Sequence, residues 1–149
     1  MKIEFDDNYF MSKAIDEAKI ALSKGEVPIG AVIVADNKII ARAHNMVEAL
    51  NDVTAHAEIL AITSAANYIG GKYLENWSVD VTLEPCQMCA GALYWSRISK
   101  IYFGAEDPKR GFKKSGTKLH PKTKVFGGIL QNECKDLLDK FFISRRNLN

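Results

Sequence analysis

Long apolar runs are missing from this sequence of 149 residues. A membrane-spanning helix needs about 18 or more consecutive apolar residues, and no such run occurs, so no transmembrane segment is expected. The N-terminal stretch from Met1 to Asp7 is acidic and lacks the apolar core of a secretion signal. Cysteine is scarce as well. The odd count of three, with two at a metal-like spacing, indicates a reducing compartment, by default the cytoplasm.

Net charge is also small, at +2, but the charges are unevenly distributed. Residues 1–58 hold 6 Lys or Arg and 10 Asp or Glu, whereas residues 59–149 hold 14 and 8. Residues 109–124 contain seven basic side chains and no acidic one, which is typical of either a solvated loop or a phosphate-binding edge. The length and the apolar fraction of 47% predict a single globular domain over 1–149, large enough for a real core.

Two short stretches contain residues that suit a metal: His-Ala-Glu at 56–58 and Pro-Cys-Gln-Met-Cys at 85–89. Cys86 and Cys89 are three residues apart, so on a helix they share one face. Two thiolates and an imidazole suit zinc, and three protein ligands leave the fourth position open for water. Glu58 can then take and return protons near that water. The predicted zinc ligands are His56, Cys86 and Cys89, with Glu58 as the catalytic residue.

Other interpretations explain fewer of these residues. A redox Cys-x-x-Cys pair gives no role to His56 or Glu58. Buried core cysteines with a helix-capping histidine would not explain why the pattern His-x-Glu is followed by Pro-Cys-x-x-Cys. A metalloprotease motif fails because Leu60 stands where a second histidine is required. A closed structural zinc site needs a fourth ligand, and none of the candidates has close ligand spacing to the pair: His44, His120 and Cys134.

The order of the predicted elements indicates an α/β fold. A helix that Asp6 or Asp7 can cap ends at Gly25, and two β-branched segments, 29–35 and 38–43, form a hairpin around a turn at Asp36-Asn37. Strands over 79–83 and 101–104 flank a helix for which Pro85 suits the first position, and this order implies a parallel pair. A short fifth strand over 124–127 and a terminal helix that Asn132 can cap complete the chain, with helices covering the sheet.

His56 and Glu58 fall near the start of a helix predicted from about Ala55 to Asn67, for which Asp52 and Thr54 are candidate caps. Two residues on a helix are separated by about 200° and do not share a face. Both side chains can therefore serve one site only if it lies across the N-terminal end of this helix. The positive end of the helix dipole would then face the site.

Three stretches resemble bacterial tRNA-specific adenosine deaminases: residues 25–32 (Gly-Glu-Val-Pro-Ile-Gly-Ala-Val), 52–58 (Asp-Val-Thr-Ala-His-Ala-Glu) and 82–92, which contain the two cysteines. The likeness continues through 103–105 to the terminal helix, whereas the broader cytidine deaminase-like superfamily shares only the zinc signature. The chain departs from the common pattern at three positions. Val53 replaces a usual proline, Met46 stands where arginine is frequent, and Asp80 stands where an aromatic residue is frequent.

This resemblance implies a three-layer α/β/α sandwich with a mixed five-stranded sheet, a homodimer and one zinc ion per subunit. It also implies conversion of adenosine to inosine at the wobble position of a tRNA anticodon. Asn45 and Asp107 match positions that help to hold the substrate nucleotide, and Pro28 and Ile29 are further candidates for substrate contacts. The candidates for contacts with the RNA backbone are Lys109, Arg110, Lys113, Lys114, Arg145 and Arg146.

Two alternatives stay open from the sequence. A small-molecule deaminase acting on guanine, cytosine or cytidine would use the same catalytic set. A zinc-stabilised binding module without enzyme activity would leave Glu58 without a purpose.

Overall fold

The computed structural model describes residues 3–147. In chain order the helices and strands are α1 (Asp7–Ser23), β1 (Gly30–Ala35), β2 (Lys38–His44), α2 (Val47–Leu50), α3 (Ala57–Ile69), β3 (Ser78–Leu83), α4 (Gln87–Ser96), β4 (Lys100–Ala105), α5 (Phe112–Ser115), β5 (Lys124–Phe126) and α6 (Gln131–Arg146). The five predicted strands are therefore all confirmed, with ends that shift by one residue at most sites.

The strands form one mixed sheet in the order β2-β1-β3-β4-β5. β1 pairs antiparallel with both β2 and β3, whereas β3, β4 and β5 run parallel. The turn between β1 and β2 places Asp36 and Asn37 at φ 50° and 64°, the left-handed region that a two-residue hairpin turn of the primed type requires. The predicted parallel pair around α4 is β3 and β4, so the carboxyl ends of these strands meet at one edge.

Helices cover both faces of the sheet, because side chains alternate along each strand. On β1, Ala31 and Ile33 pack against α3 and α4, whereas Val32 and Val34 pack against α1 and α6. The result is the predicted α/β/α sandwich, with an apolar core on each side. None of the helices within residues 3–147 is both long and apolar enough to cross a membrane.

The contact between α1 and β1 is especially close. Asp6 caps α1 as predicted, since its side chain accepts the Tyr9 N–H at 2.8 Å. Along the same helix, the carbonyl oxygen of Ala14 lies so near to Gly30 that a Cβ atom at Gly30 would overlap it. Glycine at this position therefore sets the distance between the helix and the sheet.

Several local predictions were wrong. α3 has His56 as its N-cap rather than Asp52 or Thr54, because Asp52 accepts the Thr54 N–H at 2.8 Å and hydroxyl at 2.7 Å instead. α4 begins after Cys86, so Pro85 precedes the helix. α6 begins after Leu130, which leaves Asn132 inside the helix. The four-residue helices α2 and α5 were not predicted.

Candidate metal centre and active site

The candidate site lies where α3 and α4 begin, beyond the carboxyl end of β3. His56 and Cys86 are the residues that precede the two helices, and both have extended backbone, with φ/ψ of −77°/152° and −72°/175°. Neither side chain caps its own helix. Cys89 follows in the first turn of α4. Two helix N-termini thus bring one imidazole and two thiols together.

The distances between these three side chains fit one zinc ion. Nδ1 of His56 lies 3.7 Å from Sγ of Cys86 and 3.5 Å from Sγ of Cys89, and all three ligand atoms lie within 4.8 Å of one another. Tetrahedral zinc with bonds of about 2.0 Å to nitrogen and about 2.3 Å to sulfur separates these atoms by about 3.5 Å. The three residues are therefore positioned to bind one metal ion. His44, His120 and Cys134 do not join this group.

Glu58 lies beside the two cysteines and the histidine, in the first turn of α3, and is 4% exposed. Burial raises the pKa of its carboxyl to about 7, even though His56 favours the charged form. Its Oε1 atom is buried and has no hydrogen-bond partner within the described residues. The sequence required the site to lie across the N-terminal end of this helix. The structure meets this requirement, because His56 is the N-cap of α3 and Glu58 lies in its first turn.

The two thiols are electrostatically unequal. The hydrogen bond from Cys89 is the main reason that the pKa of Cys86 falls to about 3, with a further contribution from His56. The same bond and burial raise the pKa of Cys89. A thiolate at a helix N-terminus is favoured by the dipole, and a thiolate is the form that binds metals. This set therefore suits a soft divalent cation.

Asn45 lies next to the segment that contains Pro28 and Ile29, so three predicted substrate residues come together. Its backbone N–H donates to the Ile29 carbonyl at 3.0 Å, and its Nδ2 donates to the Val27 carbonyl at 3.4 Å. Asn45 is 5% exposed, and its Oδ1 is a buried acceptor without a partner in residues 3–147.

Asp107 forms a turn, because its Oδ1 accepts the N–H groups of Lys109 and Arg110 at 3.1 and 3.0 Å. This turn leads into α5, whose first residue, Phe112, donates its N–H to the carbonyl of Pro85 at 2.9 Å. The loop therefore packs directly against the start of α4. It presents four exposed cations beside the site: Lys109, Arg110, Lys113 and Lys114.

The two C-terminal arginines differ in their surroundings. Arg145 donates from Nη2 to the Gly25 carbonyl at 2.6 Å and stacks on the Phe141 ring, with 4.9 Å to the ring centroid. Arg145 thus ties α6 to the end of α1. Arg146 is exposed.

Sequence reasoning missed Glu26 and Glu84, two carboxyl groups that are only 2% and 4% exposed. Glu26 accepts backbone N–H groups of α2, and Glu84 accepts those of Asp107 and Lys113. Each glutamate stands among apolar residues close to a proline, at Glu26-Val27-Pro28 and Glu84-Pro85. That context was the available signal, because acidic residues are rarely buried without partners.

Residues 5–105 match the family model of the cytidine and deoxycytidylate deaminase zinc-binding region. A tRNA-specific adenosine deaminase from Aquifex aeolicus is 55% identical, with 93% of this chain and 95% of that protein covered. The enzyme of the same name from Bacillus subtilis is 47% identical, with 91% and 88% covered. A solved structure from studies of A-to-I editing by tRNA:A34 deaminases is 42% identical, with a TM-score of 0.80, 87% of this chain and 99% of that chain covered.

Proposed function

The chain belongs to the tRNA-specific adenosine deaminases of the zinc-binding cytidine and deoxycytidylate deaminase family, and we propose that it converts adenosine to inosine at the wobble position of a tRNA anticodon. The observation that carries the proposal is the meeting of His56, Cys86 and Cys89 around one metal position with a buried carboxyl, Glu58, beside them. A redox pair or a core cysteine pair would not need that carboxyl.

The reaction replaces the amino group at C6 of adenine with an oxygen from water and releases ammonia. A zinc ion with an open fourth position, when bound, lowers the pKa of water and so supplies a nucleophile near neutral pH. We assign the ligand roles to His56, Cys86 and Cys89. Glu58 is the proton shuttle: it takes a proton from the attacking water and gives it to N1 of the adenine, and it then takes the second proton from the new hydroxyl on C6 and gives it to the departing amine.

Substrate binding is assigned to residues around this centre. The free Oδ1 of Asn45 accepts a hydrogen bond from the nucleotide, and Pro28 and Ile29 form part of the wall against which it lies. Asp107 holds the turn that leads into α5, whose first residue bonds to the Pro85 carbonyl. An anticodon loop suits such a buried site, because its unpaired bases can be splayed out of the stack.

The RNA backbone is assigned to the exposed cations of the loop before and within α5, together with Arg146 at the end of α6. Arg145 should contribute less to RNA binding than Arg146, since its guanidinium already donates to the Gly25 carbonyl. Neutralising phosphates releases counterions, so binding of tRNA should weaken steeply as salt is added, whereas a free base should be insensitive.

We also propose a homodimer in the cytoplasm. The face formed by α3 and α4 supports association, because α4 has no charged residue and Tyr68 and Trp95 are 71% and 76% exposed. The cysteines of the described chain are unpaired, in keeping with a reducing compartment. Sedimentation equilibrium of the zinc-loaded protein would measure the mass of the assembly.

The decisive experiment compares wild type with Glu58→Gln and Glu58→Ala on tRNA transcripts and on free adenine, guanine and cytosine. Inosine is scored in the RNA, ammonia in solution, and zinc by atomic absorption. We expect inosine from tRNA with wild type only, a loss of at least about a thousandfold in both variants, and one zinc per subunit in all three. Normal turnover by Glu58→Gln would refute the shuttle role, and ammonia from free bases alone would favour the small-molecule alternative.

A further inference from the structure

Two buried carboxylates outside the metal set each hold the backbone of a different loop beside the site. Glu26 accepts the N–H of Glu48 through Oε1 at 3.0 Å and the N–H of Ala49 through Oε2 at 2.8 Å. Glu84 accepts the N–H of Asp107 through Oε1 at 3.0 Å and the N–H of Lys113 through Oε2 at 3.1 Å. All four contacts, two for each glutamate, are to main-chain donors, and none is to a metal ligand.

The Glu26 contacts fix the segment that runs from Asn45 to His56. α2 lies in this segment, and its own N-cap residue, Met46, makes no side-chain cap. Glu26 supplies the missing acceptors from another part of the chain. The segment is closed at its base by the bond from the Met46 N–H to the Ala55 carbonyl, at 2.9 Å. Asn45 therefore stands at one end of a loop whose middle is held by Glu26.

The Glu84 contacts fix the loop that carries Asp107 and the cations. α5 also lacks a side-chain cap, because its N-cap is Gly111. Gly111 has no room for a side chain, since a Cβ atom there would overlap the Glu84 carboxyl group. The loop thus packs closely against the Glu84 carboxylate and the start of α4. A shift of Glu84 would move Asp107 and Lys113 together.

We propose that Glu26 and Glu84 are positioning residues for the deamination: each holds one of the two loops that grip the nucleotide and the RNA backbone. This inference rests on the proposed function, because it assigns the loops to tRNA. A carboxylate accepts two N–H bonds at once, whereas the amide of glutamine accepts one and turns an N–H₂ group against the other donor. Glutamine keeps the size of the side chain but removes one of the two hydrogen bonds that hold the loop.

The test measures kcat and KM for tRNA, zinc content and hydrogen exchange in Glu26→Gln and Glu84→Gln. Matched controls are Glu4→Gln before α1 and Glu133→Gln on α6, which make the same change at exposed carboxyls outside the two loops. We expect KM to rise by about tenfold to a hundredfold in the two buried variants, with zinc retained and kcat changed less, because misplaced binding groups lose substrate affinity. The controls should stay within about twofold of wild type.

Hydrogen exchange separates positioning from a general loss of stability. Glu26→Gln should speed exchange in the peptide over 45–55 and leave 106–115 unchanged, and Glu84→Gln should do the reverse. Gly111→Ala provides a second route, because it displaces the Glu84 carboxylate without removing it. Its effect on KM should match that of Glu84→Gln, and the double variant should be no worse than either single one.

Failure of the positioning role can be told apart from failure of the proposed function. If wild type makes no inosine in tRNA, the proposed function fails. If wild type is active and both glutamine variants keep a normal KM, the positioning role is overturned. Loss of zinc or faster exchange throughout the chain in these variants would assign the two glutamates to folding instead, and would equally overturn it.

Discussion

Replacing Asp80 with asparagine should stabilise the protein, and the gain should grow as the pH rises. Asp80 lies on the central strand β3, between Val32 of β1 and Tyr102 of β4, and is 1% exposed. Its Oδ2 has no hydrogen-bond partner within residues 3–147. Burial, and secondarily the charge of Asp7, raises the pKa of Asp80 from 3.8 to about 8. The folded protein therefore keeps a proton that the unfolded chain releases.

The sign and size follow from proton linkage. Below pH 4 both states are protonated, and the residue costs no ionisation energy. As the pH rises from about 4 to about 8, only the unfolded state loses its proton, so the free energy of unfolding falls, and above about 8 the loss is complete. A pKa raised by about four units corresponds to at most about 6 kcal/mol, which relaxation and water entry reduce to a few kcal/mol.

The assay is urea unfolding followed by tryptophan fluorescence at pH 5, 6.5 and 8. Asparagine at position 80 cannot ionise. The free energy of unfolding of Asp80→Asn, relative to that of wild type, should therefore increase by up to about 4 kcal/mol between pH 5 and pH 8. Asp136→Asn makes the same change at an exposed carboxyl of α6 and should show no such trend. Metal binding also depends on pH, but it affects all three proteins alike at each pH. An advantage that stays constant across this range would refute the reasoning.

Three further predictions concern the metal, the packing of α1 and the C-terminal helix. Cys89→Ser should lose zinc by atomic absorption, and its melting temperature should no longer rise when zinc is added, whereas that of wild type should. Gly30→Ala should lower the free energy of unfolding in urea by about 1–3 kcal/mol, because the new methyl group overlaps α1, whereas Gly91→Ala on α4 has open space and should be neutral or stabilising. Arg145→Ala should lower the melting temperature more than Arg146→Ala, and the reverse order would contradict the bond to the end of α1.

The metal set was predictable from sequence because its information lies in residue types at short spacings. An imidazole, two thiols and a carboxyl in this pattern have few other uses, and the helix periodicity alone required the site to lie across the start of α3. The five strands were predictable for a similar reason, since buried β-branched segments bounded by turns are characteristic. The pairing of β1 with β2 and of β3 with β4 follows from the hairpin and the parallel crossover, whereas the antiparallel pairing of β1 with β3 was not predicted.

The short helices and the caps were not predictable in the same way. A four-residue helix such as α2 has too few turns to show an apolar period, and its stability comes from Glu26, which is 22 residues from Glu48 in the chain. Asp52 and Thr54 are good capping residues by type, but they bond to each other. Phe142 continues the apolar period of α6 yet is 49% exposed, because only the stripe with Phe141 faces the sheet.

α3 and α4 begin with residues whose side chains are positioned to bind a metal ion and do not cap the helix, whereas α1 has Asp6 to satisfy its first turn. Withdrawing zinc therefore weakens the starts of two adjacent helices at once and leaves the opposite layer intact. Without the metal, we expect the starts of α3 and α4 to open while α1 and α6 stay folded. We therefore predict that proteases cut first near residues 53–60 and 84–90 when a chelator removes the metal, which limited proteolysis with and without added zinc would measure.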